Sequence, residues 1–294
     1  MTKTNLPTIS IIIPVKPGGY VKALEAVREL AYPAEKLEIF VAEGRQPSRQ
    51  RNEAVNLAKG DILYFLDDDS CPEPGNLQRI AVNFLNSNVE VVGGPSVGPE
   101  KDSFIQQCFA QLFMSPFGGA GIRNRYQRRG KVRETSEKEL ILCNLSFRAE
   151  IYKKMGGLNE SLYPNEENEL MARIKEGGGK LLYDPDLFVY RSHRKNIKTF
   201  IKQILSYGRG RMKQTMLRPA SFDLTHFIPL FFLFYCISLI FIYNPLYRLP
   251  LVVYVCLDLF FSLSPFTTGR MSMLKKVKMF SLLSLLFPVM HLSY

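Results

Sequence analysis

Residues 58–69 read AKGDILYFLDDD. Gly60 stops a helix-compatible segment, and residues 61–66 (DILYFL) read as a strand whose apolar run begins at Ile62. Three aspartates, Asp67, Asp68 and Asp69, stand at the carboxyl end of that run. Upstream, residues 8–15 (TISIIIPV) are rich in β-branched side chains and end at Pro14 and the turn Pro17-Gly18-Gly19, hence a buried first strand. Residues 20–30 place Val21, Leu24, Val27 and Leu30 at helical spacing. Residues 37–42 (LEIFVA) form a second strand, the loop 43–46 follows, and Pro47 suits the first turn of a helix over 48–59. The succession β-α-β-α-β predicts parallel strands joined by crossover helices, a doubly wound α/β layer.

Further along, helices are expected over 74–84, from a cap at Asp102 through 113, over 166–175 and over 198–213. Strands are expected over 89–92, 140–148 and 180–183. Residues 118–133, rich in Gly and Arg, show little periodicity and read as a mobile loop. Beyond about residue 222 the composition changes to Leu, Phe, Ile, Val and Tyr. The near-zero mean hydropathy of the chain therefore averages over two solvents, water and lipid. The chain divides into a soluble domain, 1–221 (halves 1–98 and 99–221), and a membrane region, 222–294.

Three apolar stretches lie in that region. Residues 224–243 are long enough, at ~1.5 Å per residue, to span a hydrocarbon core of roughly 30 Å. Residues 251–266, which carry Asp258, follow the Asn244-Pro245 turn as a hairpin partner. Residues 279–291 are broken by Pro288 and either span obliquely or lie in the interface. Arg209, Arg211, Lys213 and Arg218 precede the first stretch, and Arg270, Lys275, Lys276 and Lys278 follow the second, with only Arg248 between. By the positive-inside rule both basic flanks are cytoplasmic, so a multi-pass protein of the cytoplasmic membrane is expected. The first residues run straight into a strand without the apolar core of a signal peptide. Five isolated cysteines, with no C-x-x-C pair, argue for a reducing compartment.

The chain of 294 residues has a net charge of +11, from 38 Lys and Arg against 27 Asp and Glu. That balance favours phosphates or an anionic membrane surface. Nucleic acid is disfavoured as a partner, because zinc spacing, an RNA-binding aromatic signature and a basic recognition helix are all missing.

In open α/β sheets ligands bind beyond the carboxyl ends of the strands, where the aspartate triplet lies. Adjacent carboxylates repel one another, and a cation relieves that repulsion. Alternation along an extended chain would put Asp67 and Asp69 on one side. Hard oxygen ligands suit Mg²⁺ or Mn²⁺ bridging a diphosphate, whereas an acidic turn in water is the plainer reading. Glu166 and Glu167 open a helix, where acids commonly offset the helix dipole.

Residues 9–70, with SIIIPV, Arg51-Asn52 and AKGDILYFLDDD, together with Gly156-Gly157-Leu158-Asn159-Glu160 before an acidic helix, resemble family 2 glycosyltransferases of the GT-A fold. The resemblance implies an inverting, metal-dependent transfer from a nucleotide-sugar to a lipid-linked or surface-glycan acceptor. It implies a nucleotide-sugar-binding half, 1–98, and an acceptor-binding half, 99–221, with donor binding by Pro14, Glu43, Arg51, Asp67 and Asp68, Asp69 as direct metal ligand, and Asp67 or Asp68 near the ribose and metal. Glu43 falls where the family has a base-contacting Asp, while Ala42 and Arg45 depart from the pattern. Within Pro164-Asn165-Glu166-Glu167-Asn168-Glu169-Leu170, Glu167 falls where the catalytic Asp lies, and Glu166 is the alternative base. His193 is a candidate metal or diphosphate neighbour, with a structural hydrogen-bonding role as its alternative. Arg209 and Arg211 are candidate diphosphate ligands as well as membrane-flanking charges. Arg123, Arg125, Arg128, Arg129, Lys131 and Arg133 suggest an acceptor loop for a lipid phosphate, or else a solvated charged loop. Cys143-Asn144 falls among acceptor-site positions. The complete lack of Trp counts against a polymerising synthase, whose motif requires one. A glutamate at the base position leaves a second reading, a non-catalytic membrane subunit that keeps the fold. Asp258, costly in lipid, should face another helix.

Overall fold

The computed structural model describes residues 6–219, 224–267 and 271–294. Arg270 and the expected 221/222 boundary lie outside the described residues. In chain order the first elements are β1 Ile9–Val15, α1 Ala23–Arg28, β2 Leu37–Glu43, α2 Pro47–Leu57, β3 Ile62–Leu66, β4 Cys71–Pro72 and α3 Asn76–Asn83. Next come β5 Val89–Gly93, β6 Ser96–Val97, α4 Phe104–Met114, β7 Arg133–Glu134, β8 Asn144–Arg148, α5 Ala149–Lys154 and α6 Glu166–Glu176. The last are β9 Lys180–Tyr183, β10 Val189–Tyr190, α7 Ile197–Leu217, α8 Ile228–Ser238, α9 Leu249–Ser262 and α10 Met273–Ser293. They fall into two units, Met1–Glu100 with Asn124–Ser192, and Lys101–Arg123 with His193–Tyr294.

The first unit is built on a seven-stranded sheet in the order β2-β1-β3-β8-β5-β9-β7. β1 pairs in parallel with β2 and β3, as the β-α-β-α-β pattern requires. β8 enters antiparallel between β3 and β5, so the sheet is mixed and not wholly parallel. Parallel direction follows from a crossover helix between consecutive strands. β8 arrives instead after an irregular connection, which leaves its direction free. Every residue of β1 and β3 is buried. Ile11, Ile13 and Tyr64 pack with Ala23, Val27, Leu77 and Ile80 on one face. Ile12, Leu63 and Phe65 pack with Ala54, Val55, Leu170 and Ile174 on the other. Helices thus cover both faces, the condition under which strands read as continuous apolar runs.

A second, three-stranded sheet has the order β4-β10-β6. Its strands are two residues each and carry no periodicity, so sequence patterning does not reveal them.

Residues 118–133 are not the free loop their composition suggests. Ala120–Arg125 form a 3-10 turn. Arg125 is buried and donates to the carbonyls of Glu137 and Lys138 and to Asn168 Oδ1. Arg128 pairs with Asp186 at 2.7 Å and lies over the Phe188 ring, while Arg133 pairs with Glu139 at 2.6 Å and lies over Tyr183. Internal partners therefore take up three of these six cations: carbonyls and an amide for Arg125, an acid and an aromatic face each for Arg128 and Arg133.

In the second unit Ser103, not Asp102, stands at the N-terminus of α4, and its backbone N donates to Gln106 Oε1 at 3.0 Å. Phe109 of α4 stacks on Phe200 of α7 at 4.2 Å. α10 buries Met279, Leu283, Leu286, Phe287 and Met290 and packs with α4, α7, α8 and α9. Leu246–Thr267, 22 residues with a mean hydropathy of 1.8, is the one described helix long and apolar enough to cross a membrane. The first expected span is shorter than its composition suggests, because α8 ends at Ser238 and a turn leads into Leu246–Arg248. Phe231, Phe234, Val252 and Phe260 leave apolar side chains exposed on α8 and α9. Asp258 is buried, with Ser262 Oγ 3.4 Å from its carboxylate, in keeping with the cost of a bare carboxylate in lipid.

Candidate active site

The ends of β1, β2 and β3 meet at one edge of the main sheet. Pro14 is buried there opposite Ala42, and Glu43 is exposed at the end of β2. Glu43 Oε1 accepts from Gly18 N at 3.0 Å, and Gly44 N donates to Val15 O at 2.9 Å, so the two strand ends are tied together. The aspartates leave β3 in a tight turn. Ser70 N donates to Asp67 O at 3.1 Å, and Ala23 N, at the start of α1, donates to Asp68 O at 2.9 Å.

Two arginines reach into this turn. Arg51, on α2 and almost wholly buried, places Nη2 2.6 Å from Asp67 Oδ1 and Nη1 3.6 Å from Glu166 Oε1. Arg191, immediately after β10, places Nη2 3.0 Å from Asp67 Oδ2 and Nε 2.6 Å from Asp69 Oδ1. Asp67 and Asp69 do share one cation, as strand alternation suggests, but a turn and a distant arginine bring this about. Burial opposes the charge of Arg191, yet Asp67 and Asp69 outweigh it and hold its pKa well above the ordinary arginine value. Burial pushes the Asp68 carboxyl up, and the charges of Asp69 and Asp67 add to the effect.

Sequence reading misses Arg191 because its approach is assembled from remote pieces. β10 pairs antiparallel with β4 and parallel with β6, and Arg191 N donates to Val97 O at 2.9 Å. Asn144 Nδ2 donates to Leu187 O at 2.7 Å and its Oδ1 accepts from Tyr64 OH, while Asn76 Nδ2 donates to Phe188 O at 2.9 Å. Asn144 and Cys143 are both buried, so the geometry makes Asn144 a pin beneath the site and leaves Cys143 without access to a ligand.

The acidic helix is held equally firmly. Asn52 Nδ2 donates to Leu158 O at 2.9 Å, and its Oδ1 accepts from Leu158 N and Tyr152 OH. Gly157 has a φ of +71°, and a Cβ there would lie 2.7 Å from Asn52 Oδ1, so this turn position excludes other residues. Arg173 pairs with Glu169 at 2.8 Å and donates to Gly157 O. Asn165, the residue before α6, has the left-handed φ of 101°, and its Oδ1 accepts from Asn168 Nδ2, itself next to Arg125. This arrangement aims the first turn of α6 so that Glu166 is buried beside Arg51 and Glu167 is partly exposed. Burial, with the Glu167 charge adding, pushes the Glu166 carboxyl up to about 8. Of the two glutamates, Glu167 is the one with solvent exposure.

His193, Arg209 and Arg211 belong to the second unit. The His193 ring stacks on Phe113 at 5.6 Å, and its carbonyl accepts from Gln106 Nε2 at 2.8 Å. Arg209 and Arg211 lie on α7, with Arg211 Nη1 3.1 Å from Gln214 Oε1. Both line a cavity of about 360 Å³ together with Leu205, Met212, His226 and Leu230.

Among the described residues no group of three or more His, Cys, Asp or Glu is preassembled for a metal. Asp67 and Asp69 nevertheless direct one oxygen each at a single positive group, and two carboxylates with an open remainder fit Mg²⁺ or Mn²⁺ completed by phosphate and water.

A family model described as "Glycosyltransferase like family 2" matches residues 4–207. The succinoglycan biosynthesis protein ExoA of Rhizobium meliloti (strain 1021) is 26% identical over 237 residues, 78% of this chain and 68% of that protein. The dolichyl N-acetyl-alpha-D-glucosaminyl phosphate 3-beta-D-2,3-diacetamido-2,3-dideoxy-beta-D-glucuronosyltransferase of Methanococcus voltae is 24% identical over 234 residues, covering 74% and 68%. The pre-mycofactocin glycosyltransferase of Mycobacterium tuberculosis is 24% identical over 163 residues, 55% of this chain, and the match spans only 33% of that relative. Among solved structures, the mannosyltransferase PcManGT of Pyrobaculum calidifontis, in complex with GDP-Man and Mn²⁺, matches 97% of this chain and 88% of its own. The TM-score is 0.57 at 13% identity, a likeness of fold.

The mixed sheet, with its acids at the strand ends, is thus a GT-A glycosyltransferase fold. With more than half of its length matched by the family model, the chain belongs to glycosyltransferase family 2 and is a glycosyltransferase.

Proposed function

We propose that this enzyme transfers a sugar, with inversion, from a nucleotide-sugar to a lipid-linked or surface-glycan acceptor at the cytoplasmic face of the cell membrane. The observation that carries the reading is the convergence of Asp67 and Asp69 on one cationic position at the carboxyl edge of the sheet. Asp69 and Asp67 would hold Mg²⁺ or Mn²⁺, which when bound neutralises charge on the leaving nucleoside diphosphate. Pro14, Glu43 and Asp68 border the nucleotide. Arg51 fixes Asp67 and couples it to the acidic helix.

Glu167 takes the proton of the acceptor hydroxyl, and Glu166, buried beside Arg51, supports it from behind. His193, Arg209 and Arg211 are assigned to phosphate recognition within the second unit. The membrane location is supported by the apolar helix Leu246–Thr267 and by the exposed apolar side chains of α8 and α9. A lipid-linked acceptor is supported by the dolichyl phosphate in the name of the Methanococcus voltae relative.

The test is metal-dependent binding and turnover across a panel of nucleotide-sugars. Asp69→Asn should abolish metal-dependent nucleotide binding. Glu167→Gln should keep binding and lower turnover by about 10²–10⁴-fold, the range for loss of a general base. Full turnover in Glu167→Gln would remove Glu167 from the mechanism.

A further inference from the structure

The cation that gathers Asp67 and Asp69 is a side chain of the protein itself. Arg191 uses two edges of one guanidinium, Nη2 on Asp67 and Nε on Asp69, at 3.0 and 2.6 Å. The other oxygen of Asp67 is already bonded to Arg51 at 2.6 Å. A divalent ion entering between the aspartates therefore competes with Arg191 for the same lone pairs. A guanidinium does not yield by losing its proton, and the two carboxylates make that harder still. It can yield only by moving.

The two arginines differ in their freedom to do so. The Arg51 side chain is 4% exposed and is held between Asp67 and Glu166. The Arg191 side chain is 26% exposed, and its backbone is anchored to Val97, so the head can swing while the strand stays in place.

Resting on the donor-site reading above, we infer that Arg191 is a displaceable counter-cation: it occupies the metal position between Asp67 and Asp69 until a divalent ion and a diphosphate arrive together, and then binds the diphosphate. Planar guanidinium groups bind carboxylate and phosphate oxygens in the same two-pronged way, so the exchange keeps its hydrogen bonds satisfied. Metal alone must break the Arg191 contacts without replacement, whereas metal with diphosphate supplies a new partner. Each ligand then raises the affinity of the other by the same factor. The device keeps the acids neutralised while the donor site is empty and makes metal retention conditional on nucleotide.

The experiment measures Mn²⁺ binding to the full chain by titration calorimetry and by the Mn²⁺ electron spin signal, alone and with UDP or GDP. In Arg191→Gln, Mn²⁺ alone should bind about tenfold more tightly, the size expected for removing two competing ion pairs. The nucleoside diphosphate should bind more weakly, and the mutual enhancement should shrink. Mn²⁺ affinity that is unchanged or weaker in a folded Arg191→Gln overturns the inference. Arg191→Lys is the second variant should Arg191→Gln not fold. A single ammonium does not span both carboxylates with a fixed fork, so Mn²⁺ alone should again tighten, and no change there is equally fatal. Asp69→Asn separates the two ideas. Metal-dependent UDP or GDP binding lost in Asp69→Asn, with Mn²⁺ affinity indifferent to Arg191, leaves the donor site standing and removes only the counter-cation. Parent protein that binds neither nucleotide with Mn²⁺ fails the donor-site reading itself.

Discussion

At neutral pH the carboxyl of Glu166, buried at the start of α6 with Arg51 3.6 Å away, keeps its proton. Burial excludes water from the charged form, and the adjacent Glu167 adds repulsion, so the group titrates at about 8 against an ordinary 4.5. The sign of its effect on stability follows. The folded state holds this proton more tightly than the unfolded one, so the contribution is complete below the ordinary value and is lost as the pH climbs towards about 8. Glu166→Gln cannot ionise. Thermal unfolding followed from about pH 5 to about pH 8 should therefore show a flatter decline for this variant than for the parent, with the gap widest at the alkaline end. Equal slopes would mean that Glu166 ionises normally in the folded protein. Asn165, with its left-handed backbone, stands one residue earlier, which is where unusual φ values gather when a turn must present functional side chains.

At the scale of elements, α2 and the 156–160 turn work as one piece. Four hydrogen bonds converge on Asn52, and one of them satisfies the hydroxyl of Tyr152, which is 2% exposed. Asn52→Ala should destabilise the protein by about 2–4 kcal/mol, because it leaves buried partners unpaired and does not merely remove a contact. Chemical denaturation with an unchanged slope would measure it. The same elements show what sequence can disclose. β1, β2, β3, α1 and α2 were legible because each burial pattern repeats within its own few residues. The aspartate triplet was legible because it closes such an element. Direction and partner are different kinds of information. β8 runs against β3 because of where a long connection delivers it. Arg191 reaches the aspartates through β4, β6 and β10, three two-residue strands from distant parts of the chain. No local period records those meetings, so an arginine essential to the geometry reads as a surface charge. The contacts of the basic run 123–133 were hidden for the same reason, since Arg125 meets Asn168 and Arg128 meets Asp186, both remote in sequence.

For the whole molecule, composition indicated where apolar character begins but not how the tail is used. α10 packs with α4 and α7, and Phe287 and His291 both contact the ring of Phe117. The tail therefore forms part of the second unit and is not a detachable anchor. Removing residues 224–294 should uncover Cys108, Phe109, Leu112 and Phe113 on α4, yielding protein that aggregates or binds a hydrophobic dye on gel filtration. A monodisperse truncated chain with a sharp unfolding transition would contradict this. A tail that served only as a tether would leave the catalytic half well behaved when cut away.

The placement of α4 also has a temporal consequence. A ribosome releases this apolar helix early, while its partners on α7 and α10 are made only after the strands of the first unit are complete. Throughout that interval its Phe side chains lack their final cover, and exposed apolar surface of this kind is what chaperones and lipid interfaces capture. For this polypeptide the order of translation delays closure of the second unit until the last helix emerges.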